Sequence, residues 1–105
     1  MGSTIENREQ ILSTLHSQQE QLKGMGAQWL GLFGSFAKGK QKKDSDIDIL
    51  IEFQQGQKNY RNFIHIAYFL EDLFQREVEL ITPQSLSPIM REQILKDALY
   101  VSIVD

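Results

Sequence analysis

No cysteine occurs in the 105 residues. Disulfides, thiolate metal sites and cysteine nucleophiles are therefore excluded, and a cytoplasmic location is compatible. No apolar run approaches the ~20 residues that span a bilayer, and no signal-peptide pattern opens the chain. Met1-Gly2 does not make a myristoylation site, because Glu6 stands where that motif takes Ser or Thr. An excess of basic charge is also missing. The net charge is −3, which argues against a general DNA-binding surface. Only two histidines are present. His16 and His65 lie in helical stretches far from any carboxylate cluster, and both read as face residues rather than catalysts.

What is present fits one globular domain, residues 1–105, with 41% hydrophobic and 24% charged residues. Ile47-Asp48-Ile49-Leu50-Ile51-Glu52-Phe53 is β-branched and aromatic between polar loops and predicts a strand. Strand alternation puts Asp46, Asp48, Leu50 and Glu52 on one face and Ile47, Ile49, Ile51 and Phe53 on an apolar core face. Asp46 and Asp48 are then about 7 Å apart at the backbone, with carboxylates able to converge. Two carboxylates ~4 Å apart repel by about 4 kcal/mol at an effective dielectric near 20. Either one protonates or a cation sits between them. Hard oxygen ligands with no histidine or cysteine nearby favour Mg²⁺, with Mn²⁺ as an alternative.

Ahead of this strand, Ala27 to Phe33 predicts another, with Gly34 and Ser35 at its end. Gly34 allows close backbone approach to a ligand, and Ser35 supplies a hydroxyl for a phosphate oxygen. Lys38, Lys40, Lys42 and Lys43 follow, four of the seven lysines within six positions. A lysine run is usually only solvated. Here it adjoins a phosphate grip and an acid pair, the three components a triphosphate–metal complex needs.

Gly34-Ser35-Phe36-Ala37-Lys38-Gly39, followed by Asp44-Ser45-Asp46-Ile47-Asp48, resembles the signature of the DNA polymerase β-type nucleotidyltransferase superfamily. Within it the chain is most similar to the minimal nucleotidyltransferase (MNT) family. The resemblance implies a nucleotidyltransferase fold, a small mixed sheet with helices packed on it, as the helix and strand order also predicts. It implies that Asp46 and Asp48 hold two divalent ions with a third acid. The family's Val-Asp-Leu-hydrophobic-Thr stretch matches Val78-Glu79-Leu80-Ile81-Thr82, which gives Glu79 that place one methylene longer. Gly34, Ser35, Lys38 and Lys43 are implied for nucleotide binding. Lys38 stands where the family usually has arginine, keeping the charge and losing the bidentate fork.

The family's chemistry implies transfer of AMP from ATP to an acceptor hydroxyl. Minimal members commonly pair with a HEPN-domain ribonuclease in a toxin–antitoxin module and adenylylate a tyrosine of that toxin. The implied role is an antitoxin acting in a hetero-oligomer, with homodimerisation left open. Two other readings stand beside it: a nucleotide-binding subunit that inhibits its partner by contact alone, and a small-molecule transferase of the antibiotic-modifying kind. No substrate domain accompanies this fold, which disfavours the second.

Elsewhere, Ser3-Thr4-Ile5-Glu6 predicts a capping box opening a first helix. Its stripe is Ile5, Ile11, Leu12, Leu15 and Leu22, and Gly24 is its end. Trp29 is expected in the core. Tyr60 to about Gln75 predicts a helix with Phe63, Ile66, Ala67, Leu70, Leu73 and Phe74 at helical spacing. Its aromatics, Tyr68 and Phe69 included, are expected in the core or a subunit contact rather than in base stacking. Ser87-Pro88 predicts another helix start, with Ile89, Met90, Ile94, Leu95 and Ala98 as its apolar face. Residues 99–104 predict a short edge strand.

Overall fold

The computed structural model describes residues 5–104. A four-stranded mixed sheet forms the centre. Its strands are β1 (Ala27–Phe33), β2 (Ile47–Phe53), β3 (Val78–Ile81) and β4 (Leu99–Ser102), in the order β3-β2-β1-β4. β1 pairs antiparallel with both β2 and β4, while β2 and β3 run parallel. The parallel pair requires a crossover, which the 15-residue helix α4 (Tyr60–Phe74) supplies. The remaining helices are α1 (Arg8–Ser17), α2 (Gln19–Gly24), α3 (Gly34–Lys38) and α5 (Pro88–Asp97). A 3₁₀ turn at Pro83–Ser85 follows β3.

One face of the sheet carries the main core. Leu30, Leu32, Ile47, Ile49, Ile51 and Phe53 alternate inward along β1 and β2 and meet Ile11 and Leu15 of α1, Leu22 of α2, and Ile66, Leu70 and Phe74 of α4. The four-residue spacing of that last trio makes a stripe down one side of α4. The helix starts at Asn59, whose side chain accepts the backbone N–H of Asn62 at 2.8 Å. On the opposite face Leu50 is fully buried although its strand neighbours there are Asp48 and Glu52. Gly31 leaves room beside it: a Cβ there would lie 3.1 Å from Tyr100 and 3.4 Å from the Ala98 methyl.

Three sequence expectations need correction. α1 opens at Asn7, not at Ser3. The Asn7 side chain accepts the Gln10 N–H, and the Gln10 side chain accepts from the Asn7 backbone. Ser3 lies outside the described residues, and Ile5 precedes the helix rather than joining its stripe. Second, the expected apolar face of α5 holds only towards its end: Ala98, just past the helix, is buried and Ile94 and Leu95 are half-buried, but Ile89 is 84% and Met90 54% exposed. Ser87 caps the helix as expected, its side chain accepting from the Met90 N–H, but apolar spacing alone does not determine which helix face meets the protein. Third, Trp29 is half-buried and lies outside the core cluster. Its ring meets Tyr100 edge-on, 5.0 Å between centroids and 84° between planes.

Candidate active site

The acid row follows from strand register. Asp48 on β2 stands opposite Phe33 on β1 and beside Glu79 on β3. Laterally paired residues point to the same face, so the last residue of β1, the aspartate and the glutamate form one row across three strands. The next row, Gly31, Leu50 and Ile81, is the apolar floor on which this polar row rests.

Asp48 is half-buried, whereas Asp46 and Glu79 are exposed. Burial raises the Asp48 carboxyl from 3.8 to about 6; a hydrogen bond with Glu79 and the charges of Glu79 and Asp46 push in the same direction. Glu79 and Asp46 therefore both bear on the Asp48 carboxyl, and ionising it beside them is unfavourable. Asp46 differs from Asp48 in how it is held. It precedes β2, and the β2–β3 ladder begins only at Ile47 opposite Val78.

Gly34 abuts this row. Its φ is +75°, and a Cβ there would overlap Asp48 Oδ2 and come within 3.0 Å of Asp48 Cγ. The turn must be glycine for both reasons. Residues 34–38 then wind into the single helical turn α3, which ends at Gly39 in the left-handed region, φ +70°. No side chain caps the start of α3. The Ser35 hydroxyl has no hydrogen-bond partner among the described residues, so both it and the first N–H groups of the turn are free to meet an anion.

The lysines divide into two groups. Lys38 lines a cavity of about 210 Å³ together with Gly34, Phe33 and Ile94. Lys43 lines a larger one, about 780 Å³, together with Asp46, Phe36 and Arg76. Gly34 with Lys38 and Asp46 with Lys43 thus line different cavities.

Two arginines escaped the sequence reading. Arg8 Nη1 donates to the Ala37 carbonyl at 2.8 Å, tying α1 to α3. Arg76 Nη1 donates to the carbonyls of Lys43 at 3.0 Å and Ser45 at 2.9 Å, and Nη2 to that of Ile5 at 3.0 Å. The only hint in the sequence is that Arg76 is a lone basic residue directly ahead of the third strand.

Among the described residues no three acidic, histidine or cysteine side chains close into a metal-binding set. Mg²⁺ does not require one: it is commonly held by one or two carboxylates together with substrate phosphates and water. Two facing carboxylates whose shared environment already favours bound positive charge fit that demand. The donors are hard oxygens, and no nitrogen or sulfur ligand competes.

A mixed α/β sheet carrying an acid row beside a Gly-Ser helical turn defines a nucleotidyl-transfer enzyme. Residues 18–101 match the family model described as nucleotidyltransferase domain. A protein adenylyltransferase MntA of Thermococcus cleftensis is 35% identical over 98 residues, 93% of this chain and 96% of that protein. A Methanocaldococcus jannaschii protein named provisionally as a protein adenylyltransferase is 38% identical over 76 residues, 72% of this chain and 81% of the relative. Among solved structures, one described provisionally as a minimal nucleotidyltransferase superposes with a TM-score of 0.72 at 30% identity, covering 93% of this chain and 98% of that one. A toxin–antitoxin structure with AMP-PNP shares the fold, with a TM-score of 0.60 at 22% identity over 78% of this chain and 70% of that one. The chain belongs to the nucleotidyltransferase family, in its minimal branch.

Proposed function

We propose that this chain transfers AMP from ATP to a tyrosine hydroxyl of a partner HEPN-domain ribonuclease, and that it serves as the antitoxin of that pair. The observation that carries the reading is the placement of Gly34 against Asp48 in one row with Glu79. It sets the Gly34 turn, the phosphate grip of this reading, directly beside the acids. The MntA relative, named a protein adenylyltransferase, supports AMP as the group and a protein as the acceptor.

In this reading Gly34 and Ser35 receive the β- and γ-phosphates, through the N–H groups of α3 and the Ser35 hydroxyl. Lys38 and Lys43 offset charge on the triphosphate and on the leaving pyrophosphate. Asp46, Asp48 and Glu79 would hold Mg²⁺, or Mn²⁺ in its place. Bound there, the metal supplies charge against the triphosphate and acidifies the acceptor hydroxyl. The acceptor oxygen forms a bond to the α-phosphorus, and the bond from that phosphorus to the α,β-bridging oxygen breaks. Pyrophosphate leaves, and the hydroxyl proton passes to a carboxylate of the acid row.

The test is incubation of the purified protein with α-³²P-labelled ATP, Mg²⁺ and the partner ribonuclease. Label should appear on the partner, with pyrophosphate released in equal amount. Absence of label from the partner, with the protein folded and metal present, rejects the proposal.

A second reading has one observation in its favour. Glu79, read as standing at the place of the family's aspartate, lies beside Asp48 and helps hold its carboxyl above the ordinary range, which suits a weak catalyst that binds nucleotide and restrains its partner by contact. Inhibition of the ribonuclease without ATP would select it.

A further inference from the structure

We infer that Arg76 is a positioning residue for the acid row, fixing the loop that delivers Asp46 and Lys43. Its kinetic consequence rests on the transfer reading above; its structural consequence does not.

The acids of the row are held in unequal ways. Asp48 lies within the sheet, with ladder partners on both sides. Asp46 lies outside the ladder, at the end of the loop that contains the lysines. Arg76 ties the end of that loop to the rest of the fold. Its Nη1 bridges the carbonyls of Lys43 and Ser45, the latter the residue immediately before Asp46, at 3.0 and 2.9 Å. Its Nη2 reaches the Ile5 carbonyl at 3.0 Å. Its guanidinium carbon lies 5.3 Å from the centroid of the Phe36 ring, one residue beyond Ser35 on α3. One planar cation thus joins the segment before α1, the lysine loop, the phosphate-side turn and the start of β3.

Only guanidinium chemistry satisfies all of these at once. Arginine offers five donors in a fixed plane that can also stack on an aromatic face, whereas lysine is a point charge with no fork. The neighbouring main-chain bond extends the same attachment: the Ile47 N–H donates to the Glu77 carbonyl at 3.0 Å. β3 therefore carries Glu79 in its ladder, and three residues upstream it carries the strut for Asp46. The spacing between the two acids is set from one segment. A second tie, from Gln41 Nε2 to the Glu6 carbonyl at 2.8 Å, holds the far end of the loop; residues 42–45 close a turn of their own, the Lys42 N–H donating to Ser45 Oγ at 2.7 Å and the Ser45 N–H to the Lys42 carbonyl at 3.1 Å, and Arg76 anchors that turn to the fold.

The experiment compares wild type with Arg76→Lys and Arg76→Ala, both confirmed folded by Trp29 fluorescence, using amide deuterium exchange and transfer kinetics. Exchange over residues 42–46 should accelerate about tenfold or more in both variants, while β1 and α4 stay unchanged, because local opening is released without global unfolding. The kcat for transfer should fall about 10- to 100-fold, with the KM for ATP within about threefold, since misplacing one group costs rate more than it costs phosphate binding. Unchanged exchange over 42–46 in both variants overturns the inference. So does accelerated exchange accompanied by wild-type kcat. A wild type that transfers nothing would instead reject the transfer reading, and the exchange result alone would then decide whether Arg76 holds the loop.

Discussion

The carboxylate of Asp48 occupies the space in which any side chain at residue 34 would begin. A Cβ on Gly34 would overlap Asp48 Oδ2 and lie 3.2 Å from Asp48 Cβ, on a backbone whose φ is +75°. Gly34→Ala must therefore strain the turn and displace the acid together. It should cost about 1–3 kcal/mol of stability and reduce transfer more than a stability loss of that size explains. Gly24→Ala is the control. Nothing lies within 4 Å of that position, and the substitution should raise stability by about 0.5 kcal/mol. Urea titration followed by Trp29 fluorescence measures both; equal effects would contradict the close approach.

Asp48 also predicts a pH dependence. Its carboxyl is raised to about 6 by burial and by its acidic neighbours, so the folded chain binds this proton more tightly than the unfolded chain does. Stability from this group is complete below 3.8 and is lost as pH rises towards 6. Because Asp48 is only half-buried, solvent screening leaves about 1 kcal/mol of this contribution. Asp48→Asn should accordingly gain about that much over wild type at pH 7.5 and gain nothing at pH 3.5. Nucleotide with metal should reverse the preference, since binding needs the ionised form, and its apparent affinity should rise with pH through about 6.

How much of this was legible beforehand depends on the range over which each feature is determined. β2 was readable because the β-branched and aromatic run from Ile47 to Phe53 lies between polar loops, and α4 because Ile66, Leu70 and Phe74 repeat at helical spacing; both are local patterns. The start of α1 was local too, but the box that holds the helix is Asn7 with Gln10, which the sequence reading passed over in favour of Ser3 with Glu6. The exposure of Ile89 and Met90 was not readable, because periodicity does not say what lies opposite a helix. Glu79 was reached only through the family resemblance; its place beside Asp48 is set by the parallel register of β2 and β3, a long-range pairing that no local pattern shows. Arg76 was invisible for a simpler reason. Its partners are main-chain carbonyls of Ile5, Lys43 and Ser45, and a carbonyl has no letter in the sequence.

Replacing both aspartates separates site from scaffold. Asp46 is exposed and Asp48 only half-buried, and the main core does not include them. Asp46→Asn with Asp48→Asn removes like-charge repulsion at the row, so thermal stability should be equal to or above wild type. AMP transfer should fall by about a thousandfold or more, as expected when charge stabilisation at the reacting phosphate is lost. EDTA added to wild type should mimic that loss, and Mg²⁺ should restore it. A folded double variant that labels its acceptor at the wild-type rate would disprove the assignment.

Glu79 offers the sharpest choice between the two functional readings, because it stands beside Asp48 across β2 and β3. If its carboxylate completes the acid row, Glu79→Gln leaves the hydrogen bond to Asp48 available but deletes a negative ligand. Transfer should then fall about 100-fold or more, and the Asp48 carboxyl should titrate lower once the neighbouring charge is gone. Glu79→Asp keeps the charge and shortens the reach by one methylene, so transfer should stay within about tenfold of wild type. If the chain instead restrains its partner by contact, both variants should inhibit equally well, with or without nucleotide. Carboxyl ¹³C chemical shifts of Asp48, read beside transfer rates for the same two variants, measure both consequences. A Glu79→Gln variant with wild-type transfer and an unshifted Asp48 would remove Glu79 from the site.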